Sequence, residues 1–133
     1  MFAYLLAVAA VIAVTGIIIA FKINLDKIKR DPEQMGKAQS NFFIGAAISE
    51  SIPIIMIVFA LINAEPVPME DLYVPAGIVM IMMVFAAIFI FLQRSVDVEE
   101  DQKQAVTSFS FIALGIANAI PLIALVFMFI NAA

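Results

Sequence analysis

The chain contains no cysteine and no histidine. Their absence excludes disulfides, thiolate chemistry and transition-metal sites of the histidine type. Charge is scarce as well: 14% of the 133 residues are charged and 65% are hydrophobic, whereas a soluble domain is nearer about half apolar and about a quarter charged. Water is therefore the wrong solvent to assume. Strict alternation of apolar and polar residues, which a membrane β-barrel requires, is also missing, because runs such as 77–92 are apolar on every face.

What the sequence does contain is four long apolar stretches, 2–21, 42–63, 74–92 and 106–131. Each comes close to the roughly 20 residues that a helix needs to cross about 30 Å of hydrocarbon. The expected fold is an all-α membrane protein of four transmembrane helices, arranged as two tandem helical hairpins. The connections between them are short and leave no room for a soluble catalytic domain, so the chain is expected to be non-catalytic and to need no cofactor. The first stretch has the small residues of a secretory signal peptide but not its basic start. Lys22, the first positive charge, follows the apolar run, so this stretch is read as a membrane-spanning helix.

The seven basic residues fall in two of the three connections: Lys22, Lys27, Lys29, Arg30 and Lys37 in the first, Arg94 and Lys103 in the third. The middle connection, 64–73, carries Glu65, Glu70 and Asp71 and no basic residue. The positive-inside rule then predicts that connections 22–41 and 93–105 are cytoplasmic and that both termini lie outside, in a multi-pass protein of the cell membrane, a bacterial plasma membrane. The lipid bilayer is its first partner. A formal net charge of −4, with the acids mainly in the connections, gives no basis for a nucleic-acid partner.

The second half aligns on the first at an offset of 68 residues. Phe43-Ile44 lies against Phe111-Ile112, Ile52-Pro53 against Ile120-Pro121, Val58-Phe59 against Val126-Phe127, and Ile62-Asn63-Ala64 against Ile130-Asn131-Ala132. Prolines are punctuators, so their recurrence in register carries more weight than that of generic apolar residues. Residues 1–65 and 66–133 are therefore read as two similar hairpins of one orientation, a parallel internal repeat. They differ at one telling position: Glu50 in the first hairpin becomes Asn118 in the second, a degenerate site beside Pro121.

Glu50 is the one acidic or basic residue within the four stretches as far as the lipid-spanning part is concerned. It stands nine residues into its stretch, or about 13 Å deep at 1.5 Å per residue. An unpaired charge at that depth costs several kcal/mol, so Glu50 is expected to rest as the neutral acid, and an intramembrane acid is a functional-site hypothesis by default. A second reading makes it a neutral hydrogen-bonding contact between helices. Pro53 lacks an N–H and so removes the helical donor for the Ser49 carbonyl, beside Glu50. Ser49 and Ser51 add hydroxyls, giving a cluster able to hold a proton on the carboxyl or a cation through oxygen ligands. The alternative is a plain proline kink with both serines bonded to their own backbone.

In the first helix Ala9, Ala13, Gly16 and Ala20 recur at spacings that place small side chains on one face. Such a face allows close helix packing in lipid and favours tight lateral assembly.

Arg30-Asp31-Pro32-Glu33, followed by Asn41-Phe42-Phe43-Ile44-Gly45-Ala46-Ala47-Ile48-Ser49-Glu50-Ser51-Ile52-Pro53-Ile54, resembles subunit c, the proteolipid, of rotary ATP synthases. In that family a polar Arg-Gln-Pro loop joins two helices, and the ion-carrying acid follows the loop Arg by twenty residues, as Glu50 follows Arg30 here. The strong match covers roughly residues 24–63. The resemblance implies that Glu50 is the proton carrier, that Arg30, Asp31 and Pro32 belong to a loop facing the central-stalk subunits, and that copies assemble into a homo-oligomeric ring beside a stator subunit with a membrane Arg. A doubled hairpin with one acid is similar to the V-type proteolipid arrangement. Sodium-type members place a Gln and a Tyr where this chain has Ile17 and Ile55, so the resemblance points to hydrogen ions.

The leading expectation is thus a proton-translocating rotor-ring subunit of a membrane rotary ATPase or ATP synthase. A second class is a c-like membrane interaction protein acting in assembly or regulation of the ATPase membrane sector. It is favoured by bulky Ile12, Val14 and Ile18 in the first helix and by a third connection without an Arg-x-Pro element. A third class is a small proton-coupled exporter, which also needs one membrane Glu but would surround it with aromatic partners.

Overall fold

A computed structural model of the chain describes residues 2–95 and 103–133. Among them are four long helices, α1 (Phe2–Arg30), α2 (Met35–Ile62), α3 (Met69–Ser95) and α4 (Lys103–Ile130), with a short 3-10 turn at Pro32–Gln34. The expected all-α fold of four apolar helices long enough to cross a membrane is the fold observed. At 27–29 residues each helix is about 40 Å long, about two turns more than the hydrocarbon requires. The hydrophobic runs end where lipid ends, and the helices continue beyond them.

The first connection shows why. Residues 22–30, read from their charges as part of a connection, instead complete α1, whose last turn carries Lys27, Lys29 and Arg30 against the negative end of the helix dipole. The chain leaves the α-helix only at Asp31, where the following Pro32 disfavours helical backbone. The Asp31 carboxylate accepts from the Glu33 N–H at 3.1 Å and its carbonyl from the Gln34 N–H at 3.0 Å, so a single tight turn reverses the chain. At the far end of the third connection, Lys103–Ala105 already belong to α4, and 96–102 lie outside the described residues.

Helix α1 is the centre of the bundle. It packs against α2, α3 and α4, and α2 and α3 each also touch α4. Leu6, Ala10, Ala13, Ile17, Phe21 and Leu25 have no exposed surface. The other helices turn large apolar side chains outward, among them Ile48, Ile55 and Phe59 on α2, Ile81 and Val84 on α3, and Phe111 on α4. Lipid accepts that surface; water would not.

The ends of the bundle are tied crosswise. At one end Lys22 Nζ, which also pairs with Asp26 at 3.0 Å, donates to Gln93 Oε1 at 2.8 Å, and Lys29 Nζ donates to the Gln93 carbonyl at 2.6 Å. These bonds hold the C-terminal ends of α1 and α3 together, so the two helices run in the same sense. At the other end the Val67 N–H donates to the Asn131 carbonyl (2.9 Å) and the Ala133 N–H to the Val67 carbonyl (2.8 Å), a short parallel bridge between the middle connection and the chain's last residues. Asn63 and Asn131, aligned in the sequence, each donate their amide to the carbonyl four residues earlier, at 2.9 Å.

Candidate functional site

The buried apolar side chains form two layers. One holds Leu6, Ala10, Ile57, Leu72, Val79 and Met128, and the other holds Ile17, Phe21, Phe42, Ala86, Phe109 and Ala113. In the second layer Phe109 stacks on Phe21 at 5.6 Å between ring centroids and meets Phe42 edge-on at 5.2 Å, which fixes α1, α2 and α4 to one another. On α2 the stretch between the layers, from Ala46 to Ile57, is where Ser49, Glu50 and Pro53 sit.

Glu50 is the sixteenth residue of the 28-residue α2, and Asn118 is the sixteenth of the 28-residue α4. Pro53 and Pro121, both buried, follow each by three residues. Both Glu50 and Asn118 are half-buried, at the border between the stripe facing the bundle and the face turned to lipid. No hydrogen bond or ion pair joins the Glu50 carboxyl to any described residue. It is therefore presented at the flank of the bundle with its hydrogen-bonding capacity unused.

The serines beside it do not form the expected cluster. Ser49 Oγ donates to the Gly45 carbonyl at 2.8 Å and Ser51 Oγ to the Ile48 carbonyl at 2.6 Å. Both hydroxyl protons go to carbonyls of α2 itself, the usual local competition of serine with the helix backbone. Ser49 instead has a packing role. A Cβ placed on Gly16 of α1 would overlap Ser49 Oγ and lie 2.6 Å from its Cβ, and one on Gly45 would lie 3.0 Å from Ala20 Cβ. The small-residue face of α1, expected to favour lateral assembly, thus meets α2 inside the chain at Gly16 and Ala20. Ala9 and Ala13 of that face are fully buried too.

Asn118 donates its amide to the Leu114 carbonyl at 3.0 Å, and its Oδ1 is buried without a partner. An orphan acceptor in the membrane interior is costly. Arg30 and Asp31 lie at the hairpin turn, where Arg30 Nε donates to the Asp26 carbonyl at 3.3 Å. About 22 Å of helix separates that turn from Glu50, so Arg30 and Asp31 stand apart from the acid along α2. The backbone of Pro32 opens the 3-10 turn.

Sequence reasoning missed three polar positions. Gln93 receives Lys22 and Lys29 of α1, and Asn24 and Ser110 are buried with an unpartnered Oδ1 and Oγ respectively. Lys22 and Lys29, two turns apart on one face, could have signalled a shared partner. Asn24 is visible as a polar residue between Ile23 and Leu25, but its burial depends on the neighbouring helices. Compared with known proteins, the chain matches no family model, no curated protein and no solved structure.

Proposed function

We propose that the chain is a proton-carrying subunit of a membrane rotary ATPase or ATP synthase, with Glu50 as the carrier. One observation carries the reading: a lone carboxyl halfway along a membrane helix, at the flank of the bundle, with no partner among the described residues. A group held for internal packing would be bonded within the bundle. A group that exchanges protons with a second protein must be reachable from the side. The likeness of residues 24–63 to subunit c supplies the rest: Glu50 gives up its proton near a membrane Arg of a stator subunit and takes another from the opposite side after the ring has turned. Each proton so moved is worth about 2.3 kcal/mol per 100 mV. Arg30, Asp31 and Pro32 form the turn toward the central stalk on the cytoplasmic side of the cell membrane. With Asn118 in the second hairpin, each four-helix unit carries one proton instead of two, which suits an ATP-driven pump better than a synthase.

The native mass of the isolated protein tests the reading. A rotor subunit should survive mild detergent as a closed ring of many copies. A single copy, or one copy attached to an otherwise complete motor, would replace the rotor with the second reading, a c-like protein acting in assembly or regulation. The enclosure of α1 by the other three helices favours that alternative, since the small-residue face that could bring neighbouring copies close already meets α2.

A labelling experiment addresses Glu50 separately. Hydrophobic carbodiimides partition into lipid and react with carboxyls there, whereas the acids of the connections stand at the water-facing ends of the bundle. Mass mapping should find Glu50 modified and Glu65, Glu70 and Asp71 almost untouched. The reverse pattern would remove Glu50 as a neutral membrane acid.

A further inference from the structure

Between the C-terminal half of α3 and the N-terminal part of α4 lies a half-open groove of about 170 Å³, lined by Ala87, Ile90, Phe91, Arg94, Phe111 and Leu114, with Ser110 also on its wall. Its volume matches that of cavities, about 150 Å³, that take up an apolar guest such as benzene. All but two of its lining side chains are apolar, and both polar ones lack the partners that would make them structural. Ser110 is 3% exposed with its Oγ unbonded. Arg94 has its guanidinium 4.6 Å from the centroid of the Phe91 ring and no carboxylate partner among the described residues.

The position of Arg94 says what kind of ligand this combination fits. The apolar run of α3 ends at Leu92, so the guanidinium stands two residues past it, at the depth of the lipid headgroups. From there the groove descends from Arg94 to Ala87, about two helical turns. A cation at the interface above an apolar trough matches a phosphate above an acyl chain. A guanidinium resting on an aromatic face still has N–H groups directed outward to accept such a phosphate.

We propose that this groove binds one phospholipid, with its phosphate on Arg94 and an acyl chain along Ile90, Phe91, Phe111 and Leu114.

Native mass spectrometry of the full chain in mild detergent, with added dioleoyl phosphatidylethanolamine or dioleoyl phosphatidylglycerol, reads the proposal directly. Either lipid should be retained at one per chain. Arg94→Gln should lower retention about tenfold, the loss of one charge-assisted hydrogen-bonded contact. Leu114→Trp should do the same by filling the trough while the cation stays. Lys103→Gln, a charge change outside the groove, should leave retention at the wild-type level. Far-UV circular dichroism confirms that each variant keeps its helices, and Arg94→Gln, at the water-facing end of α3, is the variant least able to disturb them. Equal retention by wild type, Arg94→Gln and Leu114→Trp would overturn the proposal.

Discussion

Glu50→Gln should bring proton flux, and the ATP turnover coupled to it, to background in proteoliposomes containing the whole complex, while the chain folds and inserts as before. The substitution changes little else. Gln has the size of a neutral Glu and comparable hydrogen-bonding groups, but it has no proton to release in the accessible pH range. Nothing in the fold depends on the carboxyl, since it has no hydrogen-bonded partner among the described residues. A loss of flux with unchanged native mass and helicity therefore reports on proton carriage alone. Asn118→Glu is the complementary change. It places an acid at the matching point of α4, followed by Pro121 at the same distance, and should be tolerated as a neutral side chain. Ala117 and Ala119 flank it where Ser49 and Ser51 flank Glu50, so its surroundings are drier. Full flux through the Glu50→Gln complex would remove Glu50 as the carrier and leave the chain as an accessory to a motor whose protons travel elsewhere.

The second large effect is expected at Gly16. A side chain there has no space, because its first carbon already meets Ser49 Cβ and Oγ. Two opposing terms decide the size of the change. Gly16→Ala gains about 1 kcal/mol in helix propensity and costs about 1–3 kcal/mol in overpacking, so a modest net destabilisation is expected. Gly16→Leu adds three further carbons against α2 and should separate the first hairpin, with loss of the cooperative thermal transition in detergent. Ser49→Gly removes both opposing atoms, and the double variant Gly16→Ala/Ser49→Gly should recover most of the stability lost by Gly16→Ala, a coupling that a thermal-shift cycle measures. A Gly16→Leu protein that melts at the wild-type temperature would show that α1 and α2 do not meet there.

The four helices and their hairpin order are legible in the sequence because lipid imposes a length on an apolar run. The helix ends are not, because hydropathy marks the edge of the lipid and not the edge of the helix. Residues 22–30 are charged yet helical, and only Asp31 and Pro32 carry the backbone signal that stops α1. Glu50 and Asn118 are legible as equivalents from the 68-residue offset, and the structure places both at the same point of equally long helices. The bonding of Ser49 and Ser51 is not legible, since a serine beside an acid and a serine bonded to its own backbone read alike. Gly16 and Ser49 are each visible as small or polar residues in apolar runs, but that they meet depends on how α1 and α2 cross. The lysine pair on Gln93 belongs to the same class: Lys22 and Gln93 are 71 residues apart and share no local pattern.

The bridge between Val67 and the residues around Ala132 has a consequence for the order of assembly. One of its partners is made when about half of the chain has been synthesised; the other is residues 131–133. Until α4 has been inserted, the backbone groups of Val67 have only water or headgroups to bond. The lysine contacts to Gln93 at the opposite end become available earlier, as soon as α3 is in place. The bundle is therefore laced first at the end that holds the turn of the first hairpin and fastened last at the end that holds the middle connection. A nascent chain halted before residue 131 should already hold α1 against α3 at the first of these ends and stand open at the second.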